Sequence, residues 1–241
     1  MSLPNRPHGL PRRIPAWAWK WLKWRTGKKP APKPPSPTPA PKPSPGPKLP
    51  LRGCDYVSGP TPAALKKAGV QFVCRYLSTP GNAKNLTKAE ATALHKAGIA
   101  VVLVFETTAN RALSGAAAGR ADAQSARNPA AALGIPKTVP IYFAVDFDAT
   151  PAQQTPINNY LRAAATVLGK NGVGIYGGYY PVSRALKAGV CAWGWQTYAW
   201  SGGLWYQGRH IEQYQNGAHI AGHSVDLDHA VRYPYGAWEP S

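Results

Sequence analysis

From residue 53 onward the chain alternates short apolar runs with Ala-rich stretches of helical period. The runs are GCDY (53–56), FVCRYL (72–77), AVVLVFE (100–106), VPIYFAVDFD (139–148), VGIYGGY (173–179), WGWQTYAW (193–200), HIEQYQN (210–216) and VDLDHA (225–230). Each has the length and β-branched or aromatic content of a strand. Helices are predicted over 61–68, 87–97, 114–133, 152–170 and 181–188. Thr87 with Glu90 reads as a capping box, and Thr150 with Pro151 as a helix start. Gly69, Gly98 and Gly189 read as helix stops. The early runs are almost continuously apolar, as in parallel strands covered on both faces. The last three are joined by short Gly-containing segments with no room for helices. These elements predict an α/β fold: a closed β/α barrel of the TIM type, trimmed of helices toward its C-terminus. An open doubly wound sheet would carry a phosphate-binding GxGxxG after a strand, and none is present.

Before residue 51 the pattern is different. Of 28 Lys and Arg in the 241-residue chain, 11 fall in residues 1–50, together with 15 of the 26 prolines and none of the 10 acids. Residues 1–29 form a basic leader in which Trp17, Trp21 and Trp24 share one helical face amid Arg12, Arg13, Lys20 and Lys23. Indole rings among cations suit an anionic envelope or membrane surface. Nucleic acid is disfavoured, because no recognisable nucleic-acid fold accompanies the charge. Residues 30–50, with proline at nearly every second position, read as an extended linker. Residues 51–241 are then the globular domain. The run IPAWAWKWLKW is interrupted by Lys20 and Lys23, so no cleavable secretory signal is predicted. Action outside the cell would follow release through some other route, with the cytoplasm as the default location. Cys54, Cys74 and Cys191 have no pairing or metal-ligand spacing and read as small buried hydrophobes.

The acids sit where chemistry would need them. Asp55, Glu106, Asp146, Asp148, Asp226 and Asp228 all lie at or beyond the end of an apolar run, which in a β/α barrel is the substrate-binding rim. Strand alternation sets Tyr142, Ala144, Asp146 and Asp148 on one face and Phe143, Val145 and Phe147 on the other. The same alternation turns Asp226 and Asp228 inward together. Carboxyls crowded at one mouth repel, so at least one should hold its proton near neutral pH, as a general acid requires. DxD spacing also suits a hard cation, but the reading adopted here needs no metal and no cofactor. Arg75, Gln196 and Gln213 add polar groups, and Tyr76, Tyr142, Tyr176, Tyr179 and Trp200 add aromatic faces of the kind that stack on sugars.

Taken together, GCDY, CRYL, YFAVDFD, GIYGGYY, WQTYAWS, EQYQN and VDLD resemble the glycoside-hydrolase-like domain of unknown function common in actinobacteria and their phages. That family is related in fold to the family 25 lysozymes. The resemblance implies a peptidoglycan-directed glycoside hydrolase, lysin-like and monomeric, with a cell-wall glycan as partner. Asp55, Asp146 and Asp226 match lysozyme acids, and Asp148 stands where those enzymes carry the glutamate that acts as general acid. Asp148 or Glu106 would then be the proton donor, with Asp146 or Asp226 stabilising the transition state. The shorter Asp148 leaves open a second reading, an envelope module that binds glycan without cleaving it.

Overall fold

The computed structural model describes residues 46–240. The leader and most of the linker predicted above therefore lie outside the described residues. Eight strands close a barrel in sequence order: β1 (Leu51–Asp55), β2 (Phe72–Leu77), β3 (Ala100–Phe105), β4 (Ile141–Val145), β5 (Val173–Gly177), β6 (Trp193–Thr197), β7 (Ile211–Ile220) and β8 (His223–Ala230). Five α-helices follow the first five strands: α1 (Pro62–Lys67), α2 (Lys88–Lys96), α3 (Gly115–Ala132), α4 (Gln154–Leu168) and α5 (Tyr179–Lys187). Every predicted helix is present, with ends shifted by a few residues. Thr87 accepts a hydrogen bond from the Glu90 backbone at 3.2 Å, which is half of the predicted capping box. The Glu90 side chain goes to Arg75 instead.

Strands β1 to β7 are parallel, but β8 is antiparallel to both β7 and β1. The cause is local. Only Ala221 and Gly222 separate β7 from β8, and both have positive φ, 49° and 83°. A two-residue turn of that kind joins antiparallel neighbours and cannot make a crossover. As a result β8 enters the barrel at its C-terminal rim and descends.

Two apolar layers result. Outside the sheet, Cys54, Val73, Val101, Leu103, Phe143, Val145 and Ile175 pack against the helices. Inside, Leu51, Phe72, Cys74, Val102, Tyr142, Trp195 and Ile211 fill the lower barrel. The interior takes such large rings because Gly53 and Gly174 face them: an added Cβ would lie 2.2 Å from the Phe72 ring or 2.6 Å from Tyr142. The segment after β8 seals the base. Tyr235 is buried there, its carbonyl accepts from the Tyr142 hydroxyl at 2.7 Å, and Trp238 bridges to Val101. Tyr142 thus belongs to the floor and does not face a ligand at the rim.

Helices α3 and α4 cross closely because α3 presents glycine at the contact. A Cβ at Gly119 would lie 2.1 Å from the Tyr160 carbonyl oxygen. Backbone cannot give way there as a side chain could. Gly119→Ala should lower unfolding free energy by roughly 1–3 kcal/mol in chemical denaturation, the usual cost of overpacking, whereas exposed Ala117→Ser should change it little.

Candidate active site

The parity of each strand decides which side chains reach the mouth. Asp55 ends β1, and its direct cross-strand partner on β8 is Asp226. Glu106 and Asp146 follow the last residues of β3 and β4 and extend the inward faces of those strands. Tyr76, Tyr176, Trp195 and Gln213 come from the upper inward positions of β2, β5, β6 and β7. With Ala144 and Asn216 they line a cavity of about 140 Å³ that holds Asp55, Glu106, Asp146 and Asp226. It opens through Asp55, Tyr76 and Asp226 into a wider cleft of about 460 Å³. The walls of that cleft are the 56–58 loop on one side and residues 222–226 of the β7–β8 hairpin on the other.

Each carboxyl has its own setting. Asp55 Oδ2 accepts from Gln213 Nε2 at 2.7 Å, and Tyr76 stands 3.5 Å from Oδ1. Gln213 is itself oriented by the Tyr176 hydroxyl at 2.9 Å. Burial, with the Asp226 charge added, pushes the Asp55 carboxyl up to about 7, against the opposing pull of those hydrogen bonds. Asp146 is raised by burial and then by Glu106, with Lys84 opposing. Asp226 is raised by burial and partly relieved by the Gly217 N–H at 2.8 Å. Glu106 forms an ion pair with Lys84 at 2.6 Å, and the same ammonium lies 4.7 Å from the centre of the Tyr76 ring.

The profile of the Rv2525c-like, glycoside hydrolase-like domain matches residues 63–231, most of the barrel. The chain belongs to that family. It is 29% identical over 199 residues to the Mycobacterium tuberculosis protein named "Putative peptidoglycan hydrolase Rv2525c", covering 76% of this chain and 82% of that protein. The crystal structure of Rv2525c, described as Tat-secreted and in complex with L-tartrate, superposes with a TM-score of 0.73 at 26% identity, over 78% of this chain and 98% of that one. A family 25 glycosyl hydrolase from Bacillus anthracis shares the fold, with a TM-score of 0.52 at 15% identity over 77% and 93% of the two chains. A glycoside hydrolase-like domain on a barrel shared with family 25 is therefore established.

Within this family fold, not every residue expected at the mouth arrives there. Strand β4 stops at Val145, so alternation carries Asp146 inward but no longer governs Asp148, which is exposed and lies outside the cleft lining. Arg75 is only 2% exposed and points outward, because its neighbours Cys74 and Tyr76 point in. Its guanidinium meets Glu90 at 2.6 Å and the Tyr56 carbonyl at 2.7 Å. Gln196, next to inward Trp195, instead holds the β6–β7 loop through Leu204 O, Tyr206 N and Ser201. Tyr179 starts α5 and packs edge-on to Tyr180 and Tyr206, while Trp200 is 40% exposed on the β6–β7 loop. Neither lines the cleft. Asp228 does turn inward, but two cross-strand pairs below the rim, where it is fully buried. Lys84, which the sequence did not single out and which gives no signal within its loop, reaches the site through Glu106. His223, one of the late histidines that read as surface or rim residues, lines the outer cleft because β7 and β8 extend into a longer hairpin than their apolar runs suggested.

The raised Asp55 has a thermodynamic consequence. The native state keeps a proton that the unfolded chain releases near 3.8, so Asp55 costs stability as pH rises from about 4 through about 7. Asp55→Asn removes that cost. The difference in unfolding free energy between variant and wild type should grow with pH across this window and level off above it, by roughly 1–4 kcal/mol. A difference independent of pH from 4 to 8 would show that Asp55 titrates normally.

Proposed function

We propose that the domain hydrolyses glycosidic bonds of cell-wall peptidoglycan. The observation that carries this reading is the convergence of Asp55, Glu106, Asp146 and Asp226 on one aromatic-floored cavity that opens into a cleft. Glycoside hydrolysis needs one carboxyl that holds a proton and another that is ionised on the opposite side of the bond. Asp55, held near neutral pH by burial, serves as the proton donor to the departing oxygen. Asp146, after β4 on the other side of the barrel mouth, carries negative charge toward the sugar ring as positive charge builds at its anomeric carbon, and Asp226 adds to that field from beside Asp55. A substrate N-acetyl group would act as internal nucleophile in the substrate-assisted variant of this chemistry. Tyr76, Tyr176 and Trp195 give the sugar an apolar surface, and Gln213 fixes one oxygen of Asp55.

This differs from the lysozyme scheme in its donor, since Asp148 lies outside the cleft and Glu106 is tied to Lys84. The relative's description as Tat-secreted supports action at the envelope, and residues 1–29 would add an anionic-surface contact there. The position of Asp148 also favours the second reading, a barrel that binds glycan without turnover.

Incubation with purified peptidoglycan, followed by reducing-end assay and mass spectrometry, separates them. Wild type should release new reducing ends. Asp55→Asn and Asp146→Asn should each slow release roughly 100- to 10,000-fold with glycan retention nearly unchanged. Asp148→Asn should stay within about twofold, the size of an exposed substitution far from the chemistry. Retention on glycan with no new reducing ends from wild type would establish the binding module instead.

A further inference from the structure

Asp228 is not explained by the cleft. It sits on β8 between Gly53 of β1 and Gln213 of β7, two cross-strand pairs beneath the Asp55–Asp226 pair, with no exposed surface. Its Oδ1 accepts from Trp195 Nε1 at 2.8 Å. Its Oδ2 is buried with no hydrogen-bond donor in reach. An ionised carboxylate left in that state would carry an uncompensated buried charge, which proteins avoid by neutralising the group. The groups around it offer no cation. Asp55 from β1, Cys74 from β2 and Asp226 from its own strand share its inner side of the sheet, while Cys54 and Arg75 lie on the outer side.

We propose that Asp228 is a neutral carboxylic acid whose Oδ2 proton is donated in a hydrogen bond to the Asp55 carboxyl, making Asp228 the positioning residue of the acid centre. A single proton turns an acceptor–acceptor repulsion into a bond and satisfies the orphaned oxygen. Trp195 fixes which oxygen carries it, because the indole N–H already occupies Oδ1. The two carboxyls then titrate as a pair. The bond lowers the Asp55 carboxyl and raises that of Asp228, and burial holds Asp228 well above the usual carboxylate range. The pair gives up its first proton from Asp55, toward the cleft, and keeps the second below the floor. The consequence for turnover rests on the hydrolase reading, but the position of the proton does not.

Carbon-13 NMR titration of the side-chain carboxyls in the free, full-length protein tests the proposal without substrate. In wild type, the Asp228 carboxyl should stay protonated to pH 8 while Asp55 titrates near 7. Asp228→Asn keeps both bonds, with its amide oxygen facing Trp195 and its N–H₂ facing Asp55. The Asp55 midpoint should therefore move by less than about one pH unit. Asp228→Leu removes the donor and should raise that midpoint by about one unit or more. An ionised Asp228 predicts a fall of about one unit or more in both variants, because each would remove a negative charge beside Asp55. A midpoint that falls by about one unit or more with asparagine, one that fails to rise with leucine, or a wild-type Asp228 carbon that titrates below pH 6, would overturn the proposal. If the leucine variant does not fold, the wild-type and asparagine titrations decide alone. Loss of glycan cleavage with these titrations as expected would count against the hydrolase reading only.

Discussion

Everything at the mouth of this barrel depends on how its last strand closes it. A parallel strand offers only its end to the C-terminal rim, and at or just past the ends of β1, β3 and β4 stand Asp55, Glu106 and Asp146. Strand β8 runs the other way, forced by the two-residue turn at Ala221–Gly222. Its entering half therefore passes the rim, and its inward side chains reach successive depths. Asp226 meets Asp55 at the level of the cleft, and Asp228 lies two pairs deeper. An all-parallel closure would place at most one of these acids beside Asp55. The seam concentrates charge where water is scarce, and the sharing of protons follows from that crowding.

The scaffold beneath bears the cost. Rings of Phe72, Tyr142 and Trp195 fill the lower barrel, accommodated by glycine at 53 and 174, and the C-terminal segment seals the base with Tyr235. Packing of this density holds the strand ends rigid, so carboxyls that repel one another stay in place. Buried acids weaken a fold, and sites of this kind exchange stability for reactivity. Gln213, Tyr176 and Trp195 limit the loss by giving Asp55 and Asp228 directed donors, and Lys84 compensates Glu106.

Much of this was legible in the sequence. The apolar runs located eight strands, the helices fell between the first five, and alternation carried Asp146 inward. The same rule, applied to FVCRYL, shows why Arg75 turns out once Tyr76 turns in, and applied to WGWQT it separates Gln196 from Trp195. Those two polar residues were misplaced because their proximity to a strand end outweighed their parity. Asp148 was misplaced for a different reason: alternation holds only while the strand lasts, and a sequence does not mark that β4 ends at Val145. The direction of β8 was encoded in the shortness of its turn, but the barrel analogy favoured parallel strands. Lys84 and the floor-sealing segment had no periodicity or motif at all. Their places are set by tertiary packing, which local patterns do not report.

The most direct test of this account is a crystal structure of the Asp146→Asn protein soaked with a peptidoglycan fragment of at least two disaccharide repeats. The account predicts a glycan running along the cleft between the 56–58 loop and the β7–β8 hairpin, stacked near Tyr76, with a glycosidic oxygen within hydrogen-bond reach of Asp55. Sugar bound away from the carboxyl cavity, or seated there with no glycosidic oxygen near Asp55 and one beside Asp148 instead, would contradict it.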